Sequence, residues 1–480
     1  MALPLFLEDG GNLILDNGGG LPDGGGAVVV NTGDVSGGST SNAAAAAAEQ
    51  IEEFASEGGG LLAIAYGEHL IAGHLIVHKF VDASPNESYV IIAIGDGRGH
   101  GGGHGEWTDA VAVYYAGEAL TENPGGGAAG YRFYPGTIST SIADATQPVD
   151  AFFSSTGLAY SGTCYIAVRI PTAAAEVEDR PDKIKGRYQC RKSFDFDKVG
   201  NFGSHQYNIN PAHVAADRLL AFYDHKYPND SALAKQKLQA KIDWDFWNDW
   251  KAFNAAQISW FNGTTTVDIN RFDCNIAFTT GAILADALDQ ICATCGASWQ
   301  DDGEQIIFLP PSERDPVHHF NESNIIGSFR IQPRDLRDRP NYLVLEYRDF
   351  DDTFMGQASV EVRRDRLIKQ VGEIKSVRAL PPMRKSQADR LLERQARLEA
   401  DNATIVSFVG DETSIHILPG DFVTVSHVLP GWEYQRCLVV AVSLSSAEDG
   451  VDICEFTLQK IDDLLYSDTA HGPRQEALTP

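Results

Sequence analysis

The sequence predicts an α+β, multidomain protein in which β-barrel-like modules flank a helical α/β middle section. Three observations carry that prediction. Residues 61–191 hold five stretches of strand composition separated by Gly, Asn and Pro signals. Residues 210–309 instead carry apolar side chains at helical intervals. Residues 281–349 then run helix, hairpin, polar linker and strand, and a second group of strand-like runs begins after residue 404. A chain of 480 residues with 43% hydrophobic residues has room for several modules, each with its own core.

Taken in order, residues 1–58 read as a Gly- and Ala-rich N-terminal arm with a short helix. Gly18-Gly19-Gly20 and Gly24-Gly25-Gly26 are set between the small apolar patches Leu13-Ile14-Leu15 and Val28-Val29-Val30, so residues 10–42 cannot build a core of their own. Two readings stand side by side: plain disorder, or an arm that adds strands to a neighbouring subunit's sheet. Ser41 or Asn42 then caps a helix over 43–54, with Glu49, Glu52 and Glu53 on its exposed side and Gly58-Gly59-Gly60 as its stop. A β-rich module occupies 59–205, with strands near 61–66, 75–80, 89–94, 111–115 and 165–170, and its expected form is a barrel or sandwich.

The helical α/β module over 206–335 opens with Asn210 as cap and Pro211 at the first helical position, ahead of Val214, Leu219, Leu220 and Phe222. A second helix is expected over 231–241. A third carries Trp247, Trp250, Phe253 and Ala256 on one stripe, which suits a core or a subunit interface better than a carbohydrate platform. Ile283, Leu284, Ala287, Leu288, Ile291 and Cys292 give a short helix stopped at Gly296, and strands over 298–300 and 305–309 pair across Asp301-Asp302-Gly303.

Region 336–400 supplies β-strands and a linking helix: a long alternating strand over 339–349, further strands between 359 and 377, and a helix capped by Ser386 with Asp389 three residues on. Leu391, Leu392, Ala396 and Leu398 are expected to face inward there, with Arg390, Arg394 and Arg397 covering the other side. A small C-terminal β-barrel over 401–466 takes strands near 404–409, 416–418, 421–425, 437–444 and 451–458, and residues 467–480 read as a flexible tail.

The net charge of −28 argues against a surface that grips nucleic acid, because phosphate binding needs Lys and Arg in stripes. Seven scattered cysteines form an odd set and read as reduced thiols packed as small apolar groups. No run of about 18 apolar residues marks a membrane span, and Met1 to Phe6 is neither basic nor long enough for a signal peptide, so assembly in the cytoplasm without export is expected.

Catalytic and ligand-binding patterns are weak. His100 and His104 share a Gly-rich loop with Glu106, but four glycines prevent the helix that would set two ligands on one face, and a hairpin tip is the plainer reading. Gly95-Asp96-Gly97-Arg98-Gly99 lacks the Lys-Ser or Lys-Thr and the helix start of a phosphate loop. Cys292 and Cys295 form a Cys-x-x-Cys at a helix end, without a second pair. His318-His319 reads as the edge of a strand, and no nucleophile motif is recognisable. No catalytic, cofactor-binding or metal residue is therefore assigned; a peptidoglycan hydrolase or a carbohydrate-binding module remain the alternatives to a structural role.

Several segments, in a fixed order, resemble one family. They are Gly105 through Gly117, Tyr207-Asn208-Ile209-Asn210-Pro211-Ala212, Ile242-Asp243-Trp244, Arg271-Phe272-Asp273-Cys274, the helix and hairpin from Gly281, Arg339-Pro340-Asn341 with its strand, Leu418-Pro419-Gly420-Asp421-Phe422-Val423-Thr424-Val425, and the close near Leu464-Leu465-Tyr466-Ser467-Asp468. In this order the chain resembles the central tail hub, or tip attachment protein, of lambda-like long-tailed bacteriophages and related gene transfer agents. The resemblance implies a homotrimeric virion protein of the tail tip or baseplate, joining the hexameric tail tube to a threefold tip and forming part of the DNA ejection channel. The implied partners are a distal tail protein, the C-terminus of the tape measure protein, and tail fibre or receptor-binding proteins. Passing DNA would be in transit without specific binding. The chain ends soon after the last of these segments, so host recognition is expected on another polypeptide.

Overall fold

The computed structural model describes residues 63–466 apart from 82–83, 98–105, 123–129, 137–161, 172–183, 229, 262–263, 280–281, 302, 334, 402–403, 447–451 and 463–464. The predicted arm, its 43–54 helix, the His100/His104 loop and the 467–480 tail lie outside the described residues.

The first module is built from β1 (Ala63–Tyr66), β2 (Glu68–Ile71), β3 (His74–Val81), β4 (Ser84–Asp96), β5 (Trp107–Tyr115), β6 (Glu118–Ala119), β7 (Thr121–Glu122), β8 (Gly130–Tyr134), β9 (Thr163–Pro171), β10 (Ile184–Phe196) and β11 (Phe202–Tyr207). One five-stranded sheet runs β3-β4-β9-β8-β7, and the other runs β11-β10-β5-β6 with β2 also on β10. Alternate residues of β4 and β9 meet Trp107, Val113 and Tyr188 from the second sheet in one shared core, which is the sandwich of the two expected forms. Gly95 allows this closeness, because a Cβ there would collide with the Trp107 ring.

β1 leaves that module and pairs with β14 (Ile276–Thr279), stitching it to the middle section. There α1 (Pro211–Lys226) starts as predicted: the Asn210 side chain accepts from Ala212 N at 3.0 Å, with Pro211 at the first helical position. α2 (Ser231–Lys241) is capped by Asp230, and α3 (Trp244–Ala255) by Asp243. Trp247 and Trp250 on α3 are fully buried, Trp250 stacking on Phe308 with ring centroids 4.7 Å apart. β12 (Gln257–Phe261) and β13 (Thr266–Asn270) form a hairpin. Next, α4 (Leu284–Ala293) runs toward Gly296, whose φ of +68 is the left-handed stop expected for it, and β15 (Ser298–Asp301) pairs with β16 (Ile306–Leu309).

The third section is a three-stranded sheet ordered β20 (Gln357–Arg363), β19 (Tyr342–Arg348), β21 (Lys375–Ala379), with the short α5 (Asp365–Val371), which the sequence reading passed over, between β20 and β21. β19 does not alternate cleanly, since Leu343, Val344 and Leu345 are all buried in this central strand. α6 (Lys385–Ala396) packs its Ala388, Leu392 and Ala396 on that sheet.

Two expectations for α6 need correction. Ser386 is not the cap: Arg384 occupies that position without a side-chain cap bond, and Ser386 is buried in the first turn. The arginines do not form a solvated face either. Arg390 is 5% exposed and donates to Arg271 O of the middle section, and Arg397 is 8% exposed and pairs with Glu393 one turn back.

The last sheet is six-stranded, in the order β17 (His318–Phe320), β23 (Phe422–His427), β24 (Trp432–Ser446), β25 (Asp452–Lys460), β22 (Thr404–Gly410), β18 (Ile325–Pro333). β17 and β18 are joined by the turn at 321–324 yet end up at opposite edges, so the sheet curls toward closure around Phe320, Phe408, Val423, Val439 and Phe456. The strand expected at 416–418 is instead a turn following a 3-10 segment; Leu418 N donates to Asp421 Oδ2 at 2.9 Å, and buried Ile417 plugs the barrel.

Candidate assembly surface

Among the described residues no group of three or more His, Cys, Asp or Glu is placed to hold a metal ion, and no helix is long and apolar enough to cross a membrane. Cys292 and Cys295 are both buried. Burial pushes the Cys292 thiol well up and that of Cys295 to about 11, and Trp250 Nε1 donates to Cys295 Sγ at 3.4 Å. Glu106, at the edge of the His100/His104 loop, lies 3.8 Å from Lys192 Nζ. His318 and His319 do sit on an edge strand: His319 Nδ1 is 2.9 Å from Thr424 Oγ1, and burial, then His416, lowers the pKa of His318.

What the polar chemistry does instead is weld the sections together. Asp217 on α1, wholly buried, accepts the Tyr66 hydroxyl at 2.6 Å and Arg191 Nε at 3.1 Å through the same oxygen. Burial and then the Asp217 charge raise the Tyr66 pKa beyond its ordinary range; burial is the largest single effect on Arg191 and opposes its cation, but Asp217, Tyr66 and Asp96 together outweigh it. Arg187 of β10 pairs with Glu68 and donates to Phe350 O at 2.9 Å and Asp352 O at 3.2 Å, so the loop after β19 is clamped on the first module. Tyr114 against Phe354, with centroids 5.1 Å apart, closes the same contact.

α6 is the hub of these bonds. Its Gln387 amide donates to Asp273 O at 2.9 Å and Thr294 O at 2.7 Å, while Asp273 N donates back to Gln387 Oε1 at 3.3 Å. Arg390 donates to Arg271 O and Arg394 to Gly296 O. Glu393 is held between Arg364 and Arg397, at 3.1 and 3.2 Å; burial pushes its pKa up, but the two guanidiniums bring it below the usual value.

The barrel rim is the opposite case. At the tip of the β23–β24 hairpin Val428 is 77% and Leu429 71% exposed, with Tyr434 at 65% beside them. The base of the tip is fixed: Leu429 N donates to His427 Nδ1 at 3.1 Å, Tyr434 N to Ser426 Oγ at 2.9 Å, and His427 stacks on Phe329 at 4.1 Å. A firmly held apolar knob in water is a surface suited to being covered. Next to it a cleft of about 560 Å³ is lined by Arg314, Asp315, Pro316, Thr424, Tyr434 and Arg436, among others. Its arginines are engaged in the barrel wall: Arg314 Nη2 donates to Gly420 O at 2.7 Å, and Arg436 pairs with Glu313. Sequence reasoning missed Asp217, Gln387 and the knob. Only the knob had a local signal, two apolar residues just before Pro430-Gly431.

No family model matches the chain, and no curated protein does. Solved structures do match. A chain from the virion of a native gene transfer agent particle superposes with a TM-score of 0.56 at 14% identity, covering 86% of this chain and 87% of that one. The 43 kDa tail protein of prophage MuSo2 from Shewanella oneidensis gives a TM-score of 0.31 at 11% identity, covering 83% and 98%. A tail protein from Neisseria meningitidis MC58 gives 0.32 at 12% identity, covering 85% and 97%. This chain shares its fold with the gene transfer agent virion chain over most of the length of both.

Proposed function

We propose that the protein is a structural component of a phage-like tail, specifically a trimeric hub at the tail tip. The observation that carries this reading is the fold shared with a gene transfer agent virion chain over 86% of the length. Its support within the molecule is the division of labour just described, with polar groups spent on internal rigidity and apolar groups left at the rim.

In this reading each copy offers two β modules, the sandwich and the C-terminal barrel, so three copies present six similar faces to a sixfold tube. A distal tail protein meets those faces, the tape measure C-terminus enters from above, and fibre or receptor-binding proteins attach below. Each copy brings a charge of −28, which keeps transiting DNA from adhering to a channel wall.

Light scattering on the purified chain tests the oligomer: the expected mass is that of three 52.1 kDa chains. Imaging of particles produced without the protein tests its place, with tails lacking a tip as the expected result. Intact tail ends in such particles, or a monomer that degrades cell wall, would overturn the proposal.

A further inference from the structure

β18 is an edge strand. It pairs with β22 on one side, and no backbone partner lies on its other side among the described residues. Gly327 in the bulge and Pro333 at its end limit the open stretch to five residues, 328–332. Phe329 packs into the barrel core, while Ile326 and Ile331 are 48% and 38% exposed. An open, partly apolar edge of this kind is a template for another strand.

The chain itself contains a matching segment. Ala27-Val28-Val29-Val30-Asn31 centres on three valines of strong β preference, between Gly24-Gly25-Gly26 and Gly33. Residues 1–62 contain nine Asp and Glu and no Lys or Arg, whereas residues 330–339 hold four arginines, exposed Arg330 among them, against Asp335 and Asp338, and are net basic. Asp23 and Asp34 flank the valine run on either side.

We propose that residues 27–31 add as a strand to the open edge of β18 in the same chain, covering Ile331 and setting their acidic flanks against the arginines. Residues 32–62 separate the segment from β1 in sequence. A coil of that length would span about 30 Å on average and at most about 100 Å, a reach that sets the local concentration in the millimolar range and favours the chain's own segment over a neighbour's. The inference rests on the edge and the segment, not on the tail-tip reading.

Val29 and Arg330 are the central residues of the two stretches and face each other whichever way the added strand runs. All seven native cysteines are buried, so a Val29→Cys/Arg330→Cys chain reports cleanly on that pairing under mild oxidation. The expected result is an intrachain disulfide formed about tenfold faster than in Val29→Cys/Val199→Cys, whose second site is exposed on the first module. In parallel, Val29→Pro removes the N–H that the proposed strand would donate, and amide exchange at residues 328–332 is expected to speed up about tenfold. Crosslinking no faster than the control, a disulfide formed only between chains, or exchange unchanged by Val29→Pro would each overturn the proposal.

Discussion

The surroundings of α6 and the rim of the C-terminal barrel break the usual inside-outside rule in opposite directions. Around α6, arginines and glutamates are inside; at the rim, Val428, Leu429 and Tyr434 are outside. The difference lies in what each group meets. Gln387 and Arg390 of α6 reach carbonyls of the middle section and Glu393 accepts from Arg364, so their desolvation is offset internally. Tyr434 stacks on His319, but Val428 and Leu429 are left mostly to water among the described residues, so the gain from burying them is still available. One region spends its polar chemistry on internal rigidity, and the other leaves apolar surface exposed.

The comparison can be broken most sharply at Asp217. Asp217→Ala strands the buried Arg191 and the Tyr66 hydroxyl and is expected to cost about 3–5 kcal/mol in chemical denaturation. A loss below about 1 kcal/mol would mean the weld is ornamental.

Acid tests the same interior. Burial is the main cause that lowers the pKa of both His69 and His213 to about 4, below the usual 6.5. The unfolded chain therefore takes up two protons that the folded one refuses, and stability falls as pH drops from about 6.5 toward 4, by roughly 3 kcal/mol per histidine. Raised carboxylates at Asp289 and Asp421 act in the opposite sense at the low end of that range. His213→Phe should flatten the slope, and an unchanged profile would refute the assignment.

Gln387→Ala removes two donors and an acceptor between α6 and the middle section, for an expected loss of about 1–3 kcal/mol and faster amide exchange at the backbone N–H of Asp273. The smallest effect on stability belongs to the rim. Val428→Asp with Leu429→Asp should leave denaturation within about 0.5 kcal/mol of the parent. The same pair should abolish incorporation into particles, and particles that assemble normally would remove the rim from the assembly surface.

Much of this architecture was legible in the sequence where the signal is local. Asn210-Pro211 fixed the start of α1, Gly296 the stop of α4, and Asp301-Asp302-Gly303 the hairpin, because caps and tight turns are decided by groups a few residues apart. The aromatic stripe of α3 was likewise readable as buried, since Trp247 and Trp250 repeat at helical spacing. The 416–418 segment misled because a single buried isoleucine near Pro419-Gly420 looks like strand composition but serves as a plug.

What the sequence determined by itself was the menu of helices, strands and turns, the acidic charge and the apolar stripes. Only the tertiary structure decided which way α6 turned its arginines, and that β17 and β18 would become the opposite edges of a curled sheet whose other strands lie far downstream. The carbonyls that receive Arg390 and Arg394 lie 119 and 98 residues away along the chain. A guanidinium reads as solvent-facing until the fold delivers such an acceptor, since hydrogen-bond satisfaction in the interior is a property of contacts and not of neighbours in sequence.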